Sequence, residues 1–196
     1  MKRMIFCGLM ICLFSTRAQA ISYDGKWWNE ISSKEREEFY TGYLDCAIYD
    51  AGQPAPNLYW YQLEAEITKY YSENSSDIEK PVIAVFWQIY STGKLKPREI
   101  TTGGEPHPGK HGLFDGDYWR LLFFDNQKLR FIEGYLVCQR EFKKPEASFS
   151  REAQWYVDQI TKWYGWYGLT IPNEPEDINE EHYPDKIADV LYRLKD

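Results

Sequence analysis

Residues 23–46, YDGKWWNEISSKEREEFYTGYLDC, recur in altered form at 114–138, FDGDYWRLLFFDNQKLRFIEGYLVC. An aromatic residue, Asp-Gly, a Trp three residues beyond the Gly, a Phe, Gly-Tyr-Leu and a Cys appear in the same order, with one residue more between Trp and Phe in the second copy. Internal self-similarity of this kind constrains a fold more than any propensity, because both copies must form the same local structure.

The correspondence continues downstream. Ile67-Thr68-Lys69-Tyr70-Tyr71 answers Ile160-Thr161-Lys162-Trp163-Tyr164, and an apolar segment follows each, Pro81 to Tyr90 and Pro184 to Leu194. All three segments read as helices. Ser32 and Glu35 have capping-box spacing, and Phe39, Tyr43, Cys46 and Ala47 recur at helical intervals, as do Phe131, Tyr135 and Cys138. Leu63, Ile67, Tyr70 and Tyr71 form a second stripe, matched by Tyr156, Ile160, Trp163 and Tyr164. The third segment starts near a Pro in both halves, which the first turn tolerates. The strict alternation and turn dipeptides of an antiparallel sheet are not evident. The expected architecture is all-α, with two tandem three-helix repeats at 21–90 and 113–196. A Gly- and Pro-rich linker at 91–112 joins them. Three helices alone bury little apolar surface, so the repeats are expected to pack as one pseudo-symmetric domain.

Gly42 and Gly134 occupy the same place within the first helix of each copy, beside Tyr43 and Tyr135. A mid-helix Gly costs about 1 kcal/mol relative to Ala, and its repetition points to a close approach there, by a packed helix or by a ligand. Cys46 and Cys138 are also equivalent positions. Equivalent residues of two halves related by a pseudo-twofold touch only near the axis. A disulfide there would close a loop of 92 residues, worth about 4–5 kcal/mol by chain entropy; the alternative is two buried free thiols.

The first twenty residues read as an export leader. Lys2 and Arg3 precede an apolar run from Met4 to Phe14, and Ala18-Gln19-Ala20 supplies a cleavage pattern. Ile11 stands where a lipoprotein signal carries a small residue, which argues against lipid attachment at Cys12. No segment has the roughly 20 apolar residues of a membrane span, so no membrane insertion is expected. Loss of Lys2, Arg3 and Arg17 with the leader leaves 20 basic against 30 acidic residues, moving the formal charge from −7 to −10. That balance disfavours nucleic acid, which needs clustered Lys and Arg. It suits a basic protein partner, or simple solubility. The expected location is periplasmic or secreted.

Signatures of chemistry are weak. His107 and His111 are separated by Pro108 and Gly109, which rules out one helix face, and only His182 remains as a third ligand. The Asp24-Gly25 and Asp115-Gly116-Asp117 segments lack the other ligands of a calcium loop and read better as Asx-type turns. No nucleophile elbow or Cys-His pairing is recognisable. No cofactor or metal is expected. A carboxylate acid–base pair, as in an envelope hydrolase, is a third functional reading.

Aromatic residues make up 17% of the chain. Repeated positions such as Trp28 and Trp119 read as core. The run Trp163-Tyr164-Gly165-Trp166-Tyr167 closes a helix, so its rings point several ways, and Trp163, Tyr164, Trp166 and Tyr167 form the candidate partner-binding surface. The Gly42-Tyr43-Leu44-x-Cys46 and Gly134-Tyr135-Leu136-x-Cys138 helices resemble the Gly-Tyr helix of the small periplasmic immunity proteins that neutralise amidase toxins of type VI secretion. The resemblance covers some ten residues per half and implies an exported, helical, disulfide-stabilised inhibitor that acts by binding; the tandem copies depart from that pattern. The expected function is non-enzymatic binding of a protein partner in the cell envelope, with carbohydrate or cell-wall glycan binding as the alternative. Intact mass tests the cysteine pairing. A bonded pair leaves no thiol to alkylate in denaturant without reductant, and two alkylated thiols would overturn it.

Overall fold

A computed structural model describes residues 22–47, 60–95, 114–122, 124–142, 149–165, 182 and 185–195. The leader at 1–20, residues 96–112 of the expected linker, His107, His111, Trp166, Tyr167 and Pro184 lie outside the described residues. The described chain is mostly α-helical: α1 Gly25–Glu30, α2 Ser33–Asp45, α3 Trp60–Glu73 and α4 Val82–Ser91 precede α5 Gly116–Leu121, α6 Asp125–Phe142, α7 Ala153–Trp163 and α8 Ile187–Leu194. Among the described residues no helix is long and apolar enough to cross a membrane.

The reading of three elements per half misses a short one. Asp24 and Asp115 are not isolated turns but N-caps: Asp24 accepts from the amides of Lys26 and Trp27, and Asp115 from Tyr118, opening the six-residue helices α1 and α5. Six residues show too little periodicity to be read as a helix, and the cap holds them because first-turn amides otherwise lack acceptors.

The same local bonds recur in both halves. Trp28 and Trp119, both fully buried, donate their indole N–H to Thr68 and Thr161 at 3.0 and 3.2 Å. Tyr71 and Tyr164 donate to the carbonyls of Lys80 and Asp185, each at 2.7 Å. The amides of Val82 and Ile187 donate to the carbonyls of Tyr23 and Phe114, each at 2.8 Å, which ties the start of α4 and α8 to the residue before the capping Asp. The repeated Ile-Thr-Lys is thereby explained: Ile67 and Ile160 fill the core, and each Thr takes a Trp that would otherwise bury an unmet donor.

The halves meet through α2 and α6, which run parallel, since contacts advance together along both. Glu35 meets Arg130, Phe39 and Gly42 meet Gly134 and Phe131, and Cys46 is bonded to Cys138 with Cα atoms 6.1 Å apart. A Cβ on Gly42 would lie 1.9 Å from the Phe131 carbonyl oxygen, and one on Gly134 would lie 1.8 Å from that of Phe39. Helix packing, not a ligand, fills the space at both glycines. Ser32 and Glu35 form the expected capping box. After α4 the chain continues through Gly93, at φ +66°, to a buried Leu95, so the first residues assigned to the linker complete the helical half.

At an ordinary helical site Gly→Ala would gain about 1 kcal/mol. Gly42→Ala or Gly134→Ala should instead cost about 3 kcal/mol in urea unfolding, because backbone cannot yield as a side chain can. Gly93→Ala, with nothing within 4 Å of its Cβ but a positive φ, should cost only about 1 kcal/mol.

Candidate functional site

Among the described residues, buried charge gathers at one place and exposed apolar or candidate aromatic groups at two others, apart from the lone exposed Tyr61. The first is the seam of α2 and α6. Glu38, 1% exposed, accepts from Lys34 at 2.8 Å and from the Tyr118 hydroxyl at 2.5 Å. Glu133, 3% exposed, is paired with Arg130 at 2.8 Å, and Arg130 also reaches Glu35 at 3.4 Å. The Tyr23 phenol lies beside Glu133, so each buried carboxylate has a phenol of the opposite half as a neighbour, hydrogen-bonded in the case of Tyr118 and Glu38. Burial pushes both carboxyls above the ordinary Glu range, against the pull of Lys34 and Tyr118 on one and of Arg130 on the other. Glu35 goes the other way: burial raises it, but the Ser32 hydrogen bonds and the Arg130 charge hold it below. With Cys46 and Cys138 joined in the disulfide, neither of them supplies a thiolate nucleophile.

The halves differ at a matched pair of cations. Arg36 lies over Trp28, bonds its carbonyl at 2.8 Å and pairs with Glu64 at 3.0 Å. Lys128, its equivalent, lies over Trp119 at 5.5 Å and is 1% exposed, but Val157 stands where Glu64 does. Burial therefore lowers the Lys128 amine, with Asp125 opposing.

The second place is the turn between α5 and α6. Leu121 is 57% and Phe124 58% exposed, whereas the equivalent positions in the first half are Glu30 and Ser32. Phe124 occupies the N-cap position of α6: its carbonyl accepts from Lys128 as that of Ser32 accepts from Arg36. Its side chain cannot accept from the first-turn amides. Only the reciprocal half of a capping box survives, Gln127 accepting weakly from the Phe124 amide at 3.5 Å. This pair went unnoticed in the sequence, although overlaying the two halves shows Ser32 replaced by Phe.

The third place is the end of α7, where the sequence suggested a binding surface. Tyr164 is a correction, being 1% exposed with its hydroxyl on the Asp185 carbonyl. The signal was present, because Tyr164 aligns with Tyr71, which is buried the same way. Trp163 is half-buried; its N–H donates to Asp185 at 3.1 Å, His182 packs on the ring with centroids 4.5 Å apart, and the Arg193 guanidinium lies 5.0 Å from its centroid.

Comparison with known families, curated proteins and solved structures found no match to this chain. The turn at Phe124 generates its own test. Phe124→Ser restores the cap found in the first half and should raise stability by about 1 kcal/mol. Urea unfolding of this variant checks it, and a loss of stability would show that Phe124 is held by packing.

Proposed function

We propose that the chain is an exported tandem duplication whose two helical repeats pack as one pseudo-symmetric domain, and that it acts by binding a protein partner in the cell envelope. Immunity-like inhibition is the reading favoured by its Gly-Tyr-Leu-x-Cys helices. The observation that carries binding is the divergence at Leu121 and Phe124. A second copy that keeps the core bonds of the first has exchanged two polar positions for exposed apolar side chains, one at the expense of a helix cap. Exposed apolar groups that cost local stability are characteristic of contact surfaces.

The rival readings draw less support. A stacked sugar needs a bare aromatic face, and Trp163 is packed by His182 and Arg193. Hydrolysis by a carboxylate pair needs access to solvent and substrate, and Glu38 and Glu133 are buried with their oxygens engaged by Tyr and basic side chains.

The test is affinity capture from envelope extract of the host, with residues 21–196 beside a Leu121→Ser, Phe124→Ser variant and a Tyr61→Ser control at an exposed aromatic elsewhere. A protein retained by the parent and the control and lost with the double variant is expected. Equal retention by all three would remove this surface from the proposal. Glycan fragments bound by the parent in place of a protein would move the assignment to carbohydrate recognition.

A further inference from the structure

We infer that the junction between the two halves is an acid-tightened device, in which proton uptake by Glu38 and Glu133 strengthens the packing of α2 against α6 and of α5 and the Tyr23 segment upon them. The inference stands apart from the binding role and rests on the geometry of the seam.

Each carboxylate is almost wholly buried; Glu38 takes the Tyr118 hydroxyl from the other half, while Glu133 is paired with Arg130 and has the Tyr23 phenol of the other half beside it. A buried ionised carboxylate loses hydration that its partners restore only in part. Around Glu38 the charged and titratable groups are Lys34 and Glu37 on α2 and Tyr118 on α5. Around Glu133 they are Arg130 on α6, Glu35 on α2 and Tyr23. Glu37 and Glu35 carry the same sign as the groups they face and add to the cost of ionisation.

Protonation removes that cost without dismantling the seam. A neutral carboxyl still accepts from the Tyr hydroxyl through its carbonyl oxygen. Lys34, half in water, is then hydrated, and Arg130 keeps Glu35. The Tyr118 bond to Glu38 and the contact of Tyr23 with Glu133 therefore persist in both protonation states, with the buried negative charge gone in one of them.

The sign follows from linkage. The folded protein holds these two protons more tightly than the unfolded chain does, so their stabilising effect is complete below the ordinary Glu value of 4.5 and fades as pH rises through the folded-state values. Asp24 and Glu35 act oppositely. Their carboxyls, lowered by hydrogen bonds from Trp27 and Ser22 and from Ser32 against the rise due to burial, lose their contribution as pH falls through the folded-state values. Acidification from neutrality should first strengthen the fold and weaken it only once Asp24 and Glu35 are protonated.

The experiment is urea unfolding of the disulfide-bonded protein at about pH 7.5 and about pH 5, beside Glu38→Gln, Glu133→Gln and the double variant. Gln keeps an acceptor for the Tyr118 hydroxyl and an amide of the same size beside Tyr23, and removes the charge. The wild-type midpoint should rise on acidification and that of the double variant should not, since groups elsewhere are common to both. A wild-type midpoint that falls or stays level, or the same rise in the double variant, overturns the inference. Should the variants fail to fold, carboxyl titration of the wild type by infrared or NMR decides: two carboxyls titrating above the ordinary Glu range support it, and none overturns it.

Discussion

The approach of two helix backbones at Gly42 and Gly134 is the constraint on which the rest of the structure depends. With carbonyl oxygens of Phe131 and Phe39 within 2 Å of where each Cβ would sit, only hydrogen fits. That closeness brings Cys46 and Cys138 within bonding reach farther along the same pair. It also places Tyr118 and Tyr23 where they can cross from one half to a carboxylate of the other. Two mid-helix glycines forgo about 2 kcal/mol of helix propensity between them. The disulfide, by closing a 92-residue loop, returns about 4–5 kcal/mol through the unfolded state.

On either side of this contact the halves share their tryptophan and tyrosine hydrogen bonds and differ in the charges and caps around them. The Trp–Thr and Tyr–carbonyl bonds are the same twice over, because an indole or phenol taken from water must find an acceptor. The cations over the two Trp rings have diverged, Arg36 pairing with Glu64 while the position that matches Glu64 in the half of Lys128 is Val157. At the head of the long helix the divergence exchanges a capping Ser32 for an exposed Phe124. Departures from a local rule of this kind tend to mark functional or strained places, which is why the turn at Phe124 draws the proposal of a binding surface.

Much of the scaffold was legible in the sequence. The capping box, the helical stripes of α2, α3, α6 and α7, and the meeting of Cys46 with Cys138 all follow from periodicity and from overlaying the copies. The short helices α1 and α5 were not, since six residues carry no period and only the Asp cap betrays them. Of the aromatic run, Tyr164 was placed on the surface by local reasoning about a helix end, while its match to Tyr71 had already marked it as core. The seam carboxylates had no local signature at all, because the residues that come up to them from the other half, Tyr118 at Glu38 and Tyr23 and Glu35 at Glu133, are distant in the chain.

The sequence by itself determined which residues repeat, which stripes must be covered and where a helix can come close, because these depend on side-chain type and spacing along one chain. Only the tertiary structure decided which faces meet. It set α2 parallel to α6, turned Tyr118 and Tyr23 onto acids of the opposite half, and left Leu121 and Phe124 in water. Burial and charge are properties of neighbours brought together by folding, and a residue's neighbours across a helix pair are not written in its own segment.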